Sequence, residues 1–240
     1  TGRDYKVAAA IGVSSDFESR SQSALDAGAF LLCIDVAHGH HSNVERAIKT
    51  LKDKFGDKVS IMAGNVATAD AFADLQEWGS DVIRVGVGVP TFQSVLDCSR
   101  VVDTAKIVAD GGIKNAGDIV KCLAAGADFV MLGSLLAGTR ESPGEIFQGN
   151  DGRKYKAYRG MASREAQIAW RGRASSLEGV STTIPYKGTV SEILPDLHKN
   201  IRSGLSYSGA RTIKQFRSKV KMIMQTAAGM AESRTHILGK

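Results

Sequence analysis

The stretch from Lys106 to Gly138, KIVADGGIKNAGDIVKCLAAGADFVMLGSLLAG, constrains the fold more than any other part of the chain. It reads as strand, glycine turn, helix, strand, glycine turn, helix. Lys106–Ala109 is a short buried strand ending on Asp110-Gly111-Gly112, and Asn115–Ala125 is a helix that Gly126 stops. Phe129–Leu132 is a second buried strand, closed by Gly133-Ser134, with a helix starting at once. Strands alternating with helices this closely make parallel βα units. A glycine turn feeding a helix leaves N–H groups at the positive end of the helix dipole, which suits a phosphate. In a (β/α)8 barrel such a site follows the seventh and eighth strands. Asp110, at the preceding strand end, would accept hydrogen bonds from two ribose hydroxyls. The plainer role for these glycines is turn-making alone.

The same alternation runs upstream. Val7–Val13, Phe30–Val36, Val59–Gly64 and Asp81–Val85 read as strands, and Phe17–Ala27, Asn43–Phe55, Ala69–Trp78 and Phe92–Thr104 as the helices between them. That makes six βα units, whereas a closed barrel needs eight. The expectation is therefore an α/β chain of the (β/α)8 TIM-barrel class, with the first two units lying N-terminal to Thr1. Residues 1–240 read as one catalytic barrel domain, with a hairpin and flap at about 144–189. Within that insertion, Gly144–Ala157 is a hairpin around Asn150-Asp151-Gly152, Ser163–Trp170 a short helix, and Arg171–Thr183 a polar flap. Val190–Ile201 and Ala210–Lys219 are the last helices, and Gln225–Lys240 a tail ordered against a neighbour.

Composition narrows the function classes. No apolar run is long enough to span a membrane and no signal peptide is visible, so a cytoplasmic protein is expected. The net charge of +6 is spread out with no aromatic–basic stripe, which argues against nucleic acid. Cys33, Cys98 and Cys122 lack metal-like spacing and suit a reducing compartment; Cys33 and Cys122 sit in apolar patterns and read as buried. His38, His40 and His41 are close together, but no HExxH accompanies them, so they read as a loop at the barrel mouth rather than a zinc site.

With those residues in place, the chain resembles the IMP dehydrogenase/GMP reductase family. The resemblance is carried by IDVAHGH (34–40), IMAGNVAT (61–68), DVIRVGVG (81–88), ADGGIKNAGDIVKCLAAGADFVMLGS (109–134), ESPGE (141–145), YRGMAS (158–163), PYKGTV (185–190) and IRSGLSYSGA (201–210). It implies a homotetrameric barrel enzyme acting on GMP or IMP with a nicotinamide cofactor. By position, Asp110 would take the ribose diol, while Gly112, Gly133, Ser134 and Tyr158 would take the phosphate. Gly160, Met161 and Ala162 would hold the purine. Asp35, Ala37, His38, Asn65, Arg84 and Gly86 would face nicotinamide and its ribose. A monovalent cation, K+, is implied at Gly86, Gly88, Glu232 and Ser233. Many members also carry a pair of regulatory CBS modules, which would lie outside these residues.

One departure is large. The family's nucleophile sits in a loop of the form G-G-S-x-C-T-T-R after the strand ending RVGVG, whereas here Gly88 runs straight into Val89-Pro90-Thr91. The cysteine and its partner threonine are expected in the loop missing between Gly88 and Val89. Either a mobile loop and N-terminal part are not represented in the sequence, or a deletion leaves a nucleotide-binding pseudoenzyme. Both family reactions pass through a cysteine-linked purine. The dehydrogenase hydrolyses it with an Arg-Tyr pair on a long flap, and no such dipeptide occurs between Met161 and Pro185. The segment RASSLEG (173–179) instead resembles the reductase flap. Glu178 would then protonate the departing amine, and Arg173 and Gly179 would contact nucleotide. The expectation is a GMP reductase using NADPH. The tail AGMAESRTH (228–236) resembles the dehydrogenase C-terminus and keeps IMP dehydrogenase with NAD as the alternative. A non-catalytic purine nucleotide sensor and a flavin-binding barrel oxidoreductase are further alternatives.

Overall fold

Every strand from Ala8 to Met131 pairs in parallel with its neighbours in sequence. The computed structural model describes residues 6–87, 91–160, 163, 164, 168 and 181–233. It sets β1 (Ala8–Ile11), β2 (Leu31–Asp35), β3 (Ser60–Val66), β4 (Val82–Val85), β5 (Lys106–Asp110) and β6 (Phe129–Met131) in that order in one sheet. The crossovers are α1 (Phe17–Asp26), α2 (Ser42–Phe55), α3 (Ala69–Glu77), α4 (Thr91–Cys98) and α5 (Ala116–Ala125). Sequential parallel strands joined by helices are the winding of a (β/α)8 barrel.

Side chains alternate across a strand, and here both alternations are apolar. Leu32, Ile34, Ile61, Ile83 and Ile107 face outward into the main core with Val44, Leu51, Phe72 and Leu75 from the helices. Leu31, Cys33, Met62 and Val108 form a second, smaller cluster on the other face, beside Val82 and Met131. Strands covered on both faces read as unbroken apolar runs. The sheet edges are less covered than the sequence suggests. Phe129 is 57% exposed, because β6 is an edge strand among the described residues and nothing there packs over it.

The N-terminal ends of the strands are pinned by a repeated device. Asp81 precedes β4 and accepts from the Ile61 N–H (2.7 Å) and Lys52 Nζ (2.9 Å). Asp128 precedes β6 and accepts from the Ile107 N–H (3.0 Å) and Arg217 Nη2 (3.4 Å). Each carboxylate thus ties the start of its strand to the adjoining one, with a helix cation beside it. Arg217 lies on α7 (Ile213–Lys219) and also donates to the carbonyls of Leu123 (3.1 Å) and Ala127 (2.6 Å) at the end of α5. Hydrogen bonds from a charged donor contribute about 1.5–3 kcal/mol each, less with partial exposure. Arg217→Met should therefore lower the unfolding free energy by about 2 kcal/mol. A shift of the urea midpoint at constant m would register it, and an unchanged midpoint would contradict it.

Several elements differ from expectation. α4 stops at Cys98 rather than Thr104, because the N–H groups of Asp103, Thr104 and Ala105 all donate to Gln76 Oε1 (2.9, 3.0 and 3.2 Å) instead of to helix carbonyls. No helix follows Gly133-Ser134: the Leu136 and Ala137 N–H groups both return to the Gly133 carbonyl, and Gly138, at φ +85°, ends the turn. The hairpin forms as β7 (Ile146–Gln148) and β8 (Lys154–Arg159), joined by an unforeseen antiparallel strand β9 (Ser181–Pro185). Its first three residues are polar, and its partner β8 supplies the ladder. α6 runs from Val190 to Ser206, past Ile201, from a capping box formed by Thr189 and Glu192. The tail contains a short helix, α8 (Ala227–Glu232). The helix expected at Ser163–Trp170 lies largely, and the flap through Val180 wholly, outside the described residues.

Candidate active site

The polar residues that close the apolar strands meet at one end of the sheet. Asp35 on β2, Gly64 on β3 and Arg84 on β4 share one register row. Adjacent strands stand about 4.8 Å apart, so an arginine can reach a residue two strands away only if nothing stands between them. Gly64 provides that gap: a Cβ there would lie 2.6 Å from Arg84 Cβ and 2.9 Å from the Arg84 carbonyl oxygen. Arg84 passes over the glycine, and Nη1 reaches Asp35 Oδ1 at 2.6 Å.

On its other side Arg84 holds Asp110. Nε and Nη2 donate to Asp110 Oδ2 at 3.1 and 2.7 Å, and Asn65 Nδ2 donates to the same oxygen at 2.8 Å. Asn65 Nδ2 also bonds the Gly86 carbonyl (2.7 Å), tying the end of β3 to the turn after β4. Burial lowers the pKa of Arg84, but the hydrogen bond to Asp110 and the charge and hydrogen bond of Asp35 outweigh it, so the guanidinium is held more firmly protonated than usual. A fixed cation between two carboxylates orients both. Asp110 Oδ2 thus accepts from donors of both Arg84 and Asn65, which fixes the plane of the carboxylate.

Behind Asp110, Gly111 and Gly112 adopt φ +100° and +72°, a sharp turn that few side chains tolerate, and lead to α5. Asn115 Oδ1 accepts from the Asp118 N–H, and Asp118 Oδ2 from the Lys114 N–H, both at 3.0 Å. Burial pushes the Asp118 carboxyl up, but Lys121 and these backbone donors pull harder, leaving its pKa below the usual value. Asp118 therefore stays a carboxylate at the start of α5.

The second glycine turn, Gly133-Ser134, is exposed. Tyr158 lies on β8 opposite Thr182, and the Gly160 carbonyl accepts from the Ser163 N–H at 2.9 Å. The histidines of the β2–α2 loop have separate partners. His41 caps α2 through Nδ1, while His40 Nε2 meets Asp74 Oδ2 at 2.6 Å and its ring stacks on Trp78. His38 sits edge-on to His40. Ala37 lies in the same loop as these residues. Glu232 and Ser233 lie at the end of α8, where Ser233 Oγ bonds Gln225 Nε2 (3.0 Å); no hydrogen bond among the described residues brings them to Gly86. Gly88, Met161, Ala162, Arg173, Glu178 and Gly179 lie outside the described residues. Sequence reasoning missed Gly64 as the spacer under Arg84, although it stands inside the motif IMAGNVAT.

The family model for the IMP dehydrogenase / GMP reductase domain matches residues 1–236. The chain belongs to the IMP dehydrogenase/GMP reductase family. It is 42% identical over 258 residues to an inosine-5'-monophosphate dehydrogenase of Nitrosopumilus maritimus, covering 96% of this chain and 54% of that one. It is 41% identical over 261 residues to a GMP reductase of Leishmania major, covering 98% and 53%. A GMP reductase variant from Trypanosoma brucei, solved in complex with guanosine 5'-monophosphate, superposes with a TM-score of 0.89 at 38% identity, over 96% of this chain and 52% of its own. An inosine 5'-monophosphate dehydrogenase from Legionella pneumophila gives 0.82 at 42%, over 94% and 74%. The chain thus spans about half the length of the curated relatives it matches, and these structural relatives support the barrel class of the six-stranded sheet.

IMP dehydrogenases and GMP reductases are oxidoreductases, and this family's resemblance calls for a thiolate nucleophile. The three cysteines present are buried. Burial pushes the thiols of Cys33 and Cys122 up, and that of Cys98 up to about 12. Arg84, 3.6 Å from Cys33 Sγ, pulls the other way without reversing the shift. At neutral pH all three are thiols, and a thiol is a poor nucleophile. None of them therefore supplies the thiolate that the resemblance calls for.

Proposed function

We propose that this chain is the catalytic barrel of a GMP reductase, which converts GMP and NADPH to IMP, ammonia and NADP+. The observation that carries the choice is the flap sequence RASSLEG, with a single acid, Glu178, and no Arg-Tyr pair. The ring of Asp35, Asn65, Arg84 and Asp110 supports a nucleotide site: Asp110 is oriented for a ribose diol, and glycine turns lie beyond it. Gly112, Gly133, Ser134 and Tyr158 hold the phosphate; Gly160, Met161 and Ala162 the purine; Arg173 and Gly179 the nucleotide from the flap. Asp35, Ala37, His38, Asn65, Arg84 and Gly86 bind the nicotinamide cofactor, which supplies the hydride. K+ binds across a subunit boundary, through Gly86 and Gly88 on one side and Glu232 and Ser233 on the other, where oxygen donors suit a hard cation.

The chemistry assigned to this chain's own residues is proton transfer. The thiolate of the cysteine expected in the loop between Gly88 and Val89 would add to purine C2; hydride added at C2 after ammonia has left would let the C–S bond break, returning the thiolate and releasing IMP. The 2-amino nitrogen leaves as ammonia once it is protonated, and Glu178 delivers that proton. Residues 1–240 form one domain of a cytoplasmic homotetramer, with any CBS modules outside it.

A second reading, IMP dehydrogenase with NAD, is favoured by the tail AGMAESRTH and by identity to a dehydrogenase as high as to a reductase. The two are separated by following nicotinamide absorbance in the full-length protein with GMP plus NADPH and with IMP plus NAD. Loss of NADPH with release of ammonia establishes the reductase; gain of NADH from IMP replaces it with the dehydrogenase. Binding of GMP without either turnover replaces it with a nucleotide sensor. In the reductase, Glu178→Gln should lower kcat by about 100-fold or more, with GMP binding retained. Unchanged kcat would remove Glu178 from the proton path.

A further inference from the structure

Two lysines from the hairpin and its return hold backbone carbonyls of the second glycine turn and the segment after it: Lys187 those of the turn, Lys156 those of residues 139, 140 and 142. Lys156 on β8 is buried, and its ammonium donates to the carbonyls of Thr139 (2.6 Å), Arg140 (3.1 Å) and Ser142. Lys187, just after β9, is exposed, and its Nζ donates to the Ser134 carbonyl at 2.9 Å and approaches that of Leu135 at 3.4 Å. The backbone around Lys187 is fastened to the same loop. Its N–H donates to the Gly138 carbonyl (2.9 Å), and the Arg140 N–H donates to the Gly188 carbonyl (2.8 Å). The fit is close: a Cβ on Gly138 would lie 2.6 Å from the Pro185 carbonyl oxygen.

Neither lysine forms an ion pair among the described residues. An ammonium has three N–H donors, and a carbonyl offers it only a dipole, so the charge beside Ser134 is not neutralised. A phosphate monoester carries about −1.5 to −2 at neutral pH, and the turn's own residues, Gly133 to Gly138, contain no cation. Lys187 brings positive charge to within one hydrogen bond of that turn. It does so from the segment on which the chain returns from the flap.

We propose that Lys187 is a specificity-determining residue for the phosphate of the nucleotide, placing positive charge at the Ser134 turn. This rests on the nucleotide reading above, and the test separates the two. The full-length protein, Lys187→Met and Lys187→Arg are titrated calorimetrically with GMP, and with guanosine by competition against GMP. Lys187→Met should weaken GMP by about tenfold, the scale of one charge-assisted hydrogen bond, and leave guanosine unchanged. Lys187→Arg should recover most of the loss, and the salt dependence of GMP affinity should be shallower in Lys187→Met than in the parent. If the parent protein binds no purine nucleotide, the nucleotide reading itself fails. If the parent binds GMP but Lys187→Met does not weaken it, weakens guanosine equally, or keeps the parent's salt dependence, Lys187 is only a fastening and the proposal is overturned.

Discussion

Replacing Arg84 by methionine should lower the unfolding free energy by about 3 kcal/mol, the low end of the range for removing one member of a buried ion pair. The side chain is only 12% exposed and serves carboxylates on both sides, at 2.6 and 2.7 Å. Methionine fills much of the volume but leaves Asp35 and Asp110 facing each other without a cation. The cost stays at the low end because Asp35 reaches solvent and Asn65 keeps its bond to Asp110. Asp110 also loses two of the donors that orient it, those of Arg84, so GMP affinity should fall by about 100-fold, roughly 2.7 kcal/mol. Urea unfolding and GMP titration of the same preparation measure the two effects. A stability change below about 1 kcal/mol would mean that the ring is solvated and weak, as exposed ion pairs are.

Gly64→Ala should be nearly as damaging although it adds a single methyl group. The new Cβ would meet Arg84 Cβ at 2.6 Å and the Arg84 carbonyl oxygen at 2.9 Å, neither of them the far end of a flexible side chain. β3 and β4 would have to part, and overpacking of this kind costs about 1–3 kcal/mol, here the upper end. Gly133→Ala is the control. A Cβ there meets nothing within 4 Å and the residue is not in the left-handed region, so stability should change by less than about 0.5 kcal/mol. Equal midpoints for the two variants in urea would show that Gly64 is not a spacer.

The strand ends are legible because a polar residue closes each apolar run: Asp35 after LLCI, Arg84 after VI, Asp110 after KIVA. Their partnership is less legible, since it depends on parallel register and on Gly64 being empty, and neither leaves a periodic trace. The repeat Gly79-Ser80-Asp81 and Gly126-Ala127-Asp128 before β4 and β6 is a signal that could have exposed the two aspartate pins. Gln76 has no such signal. Its oxygen stops a helix that the apolar pattern carries on to Thr104, and its partners lie 27 to 29 residues away. β9 leaves no mark in the sequence because Ser181–Thr183 is polar, and pairing with β8 rather than burial makes it a strand. The site residues expected in the flap and the second glycine turn rest on motif resemblance, since turn chemistry around Gly133 leaves no helical or strand period to read.

The ring at the strand ends draws one residue from each of four consecutive strands, Asp35, Asn65, Arg84 and Asp110. A chain in which any of β2 to β5 has yet to assemble in register lacks the ring. A ligand that engages it therefore binds only finished sheet, and by mass action it draws unfinished chains forward. At a concentration 100 times its Kd, such a ligand adds about 2.7 kcal/mol to the stability of the folded form. Supply of that ligand would then govern how much of the protein survives as well as how fast each copy works.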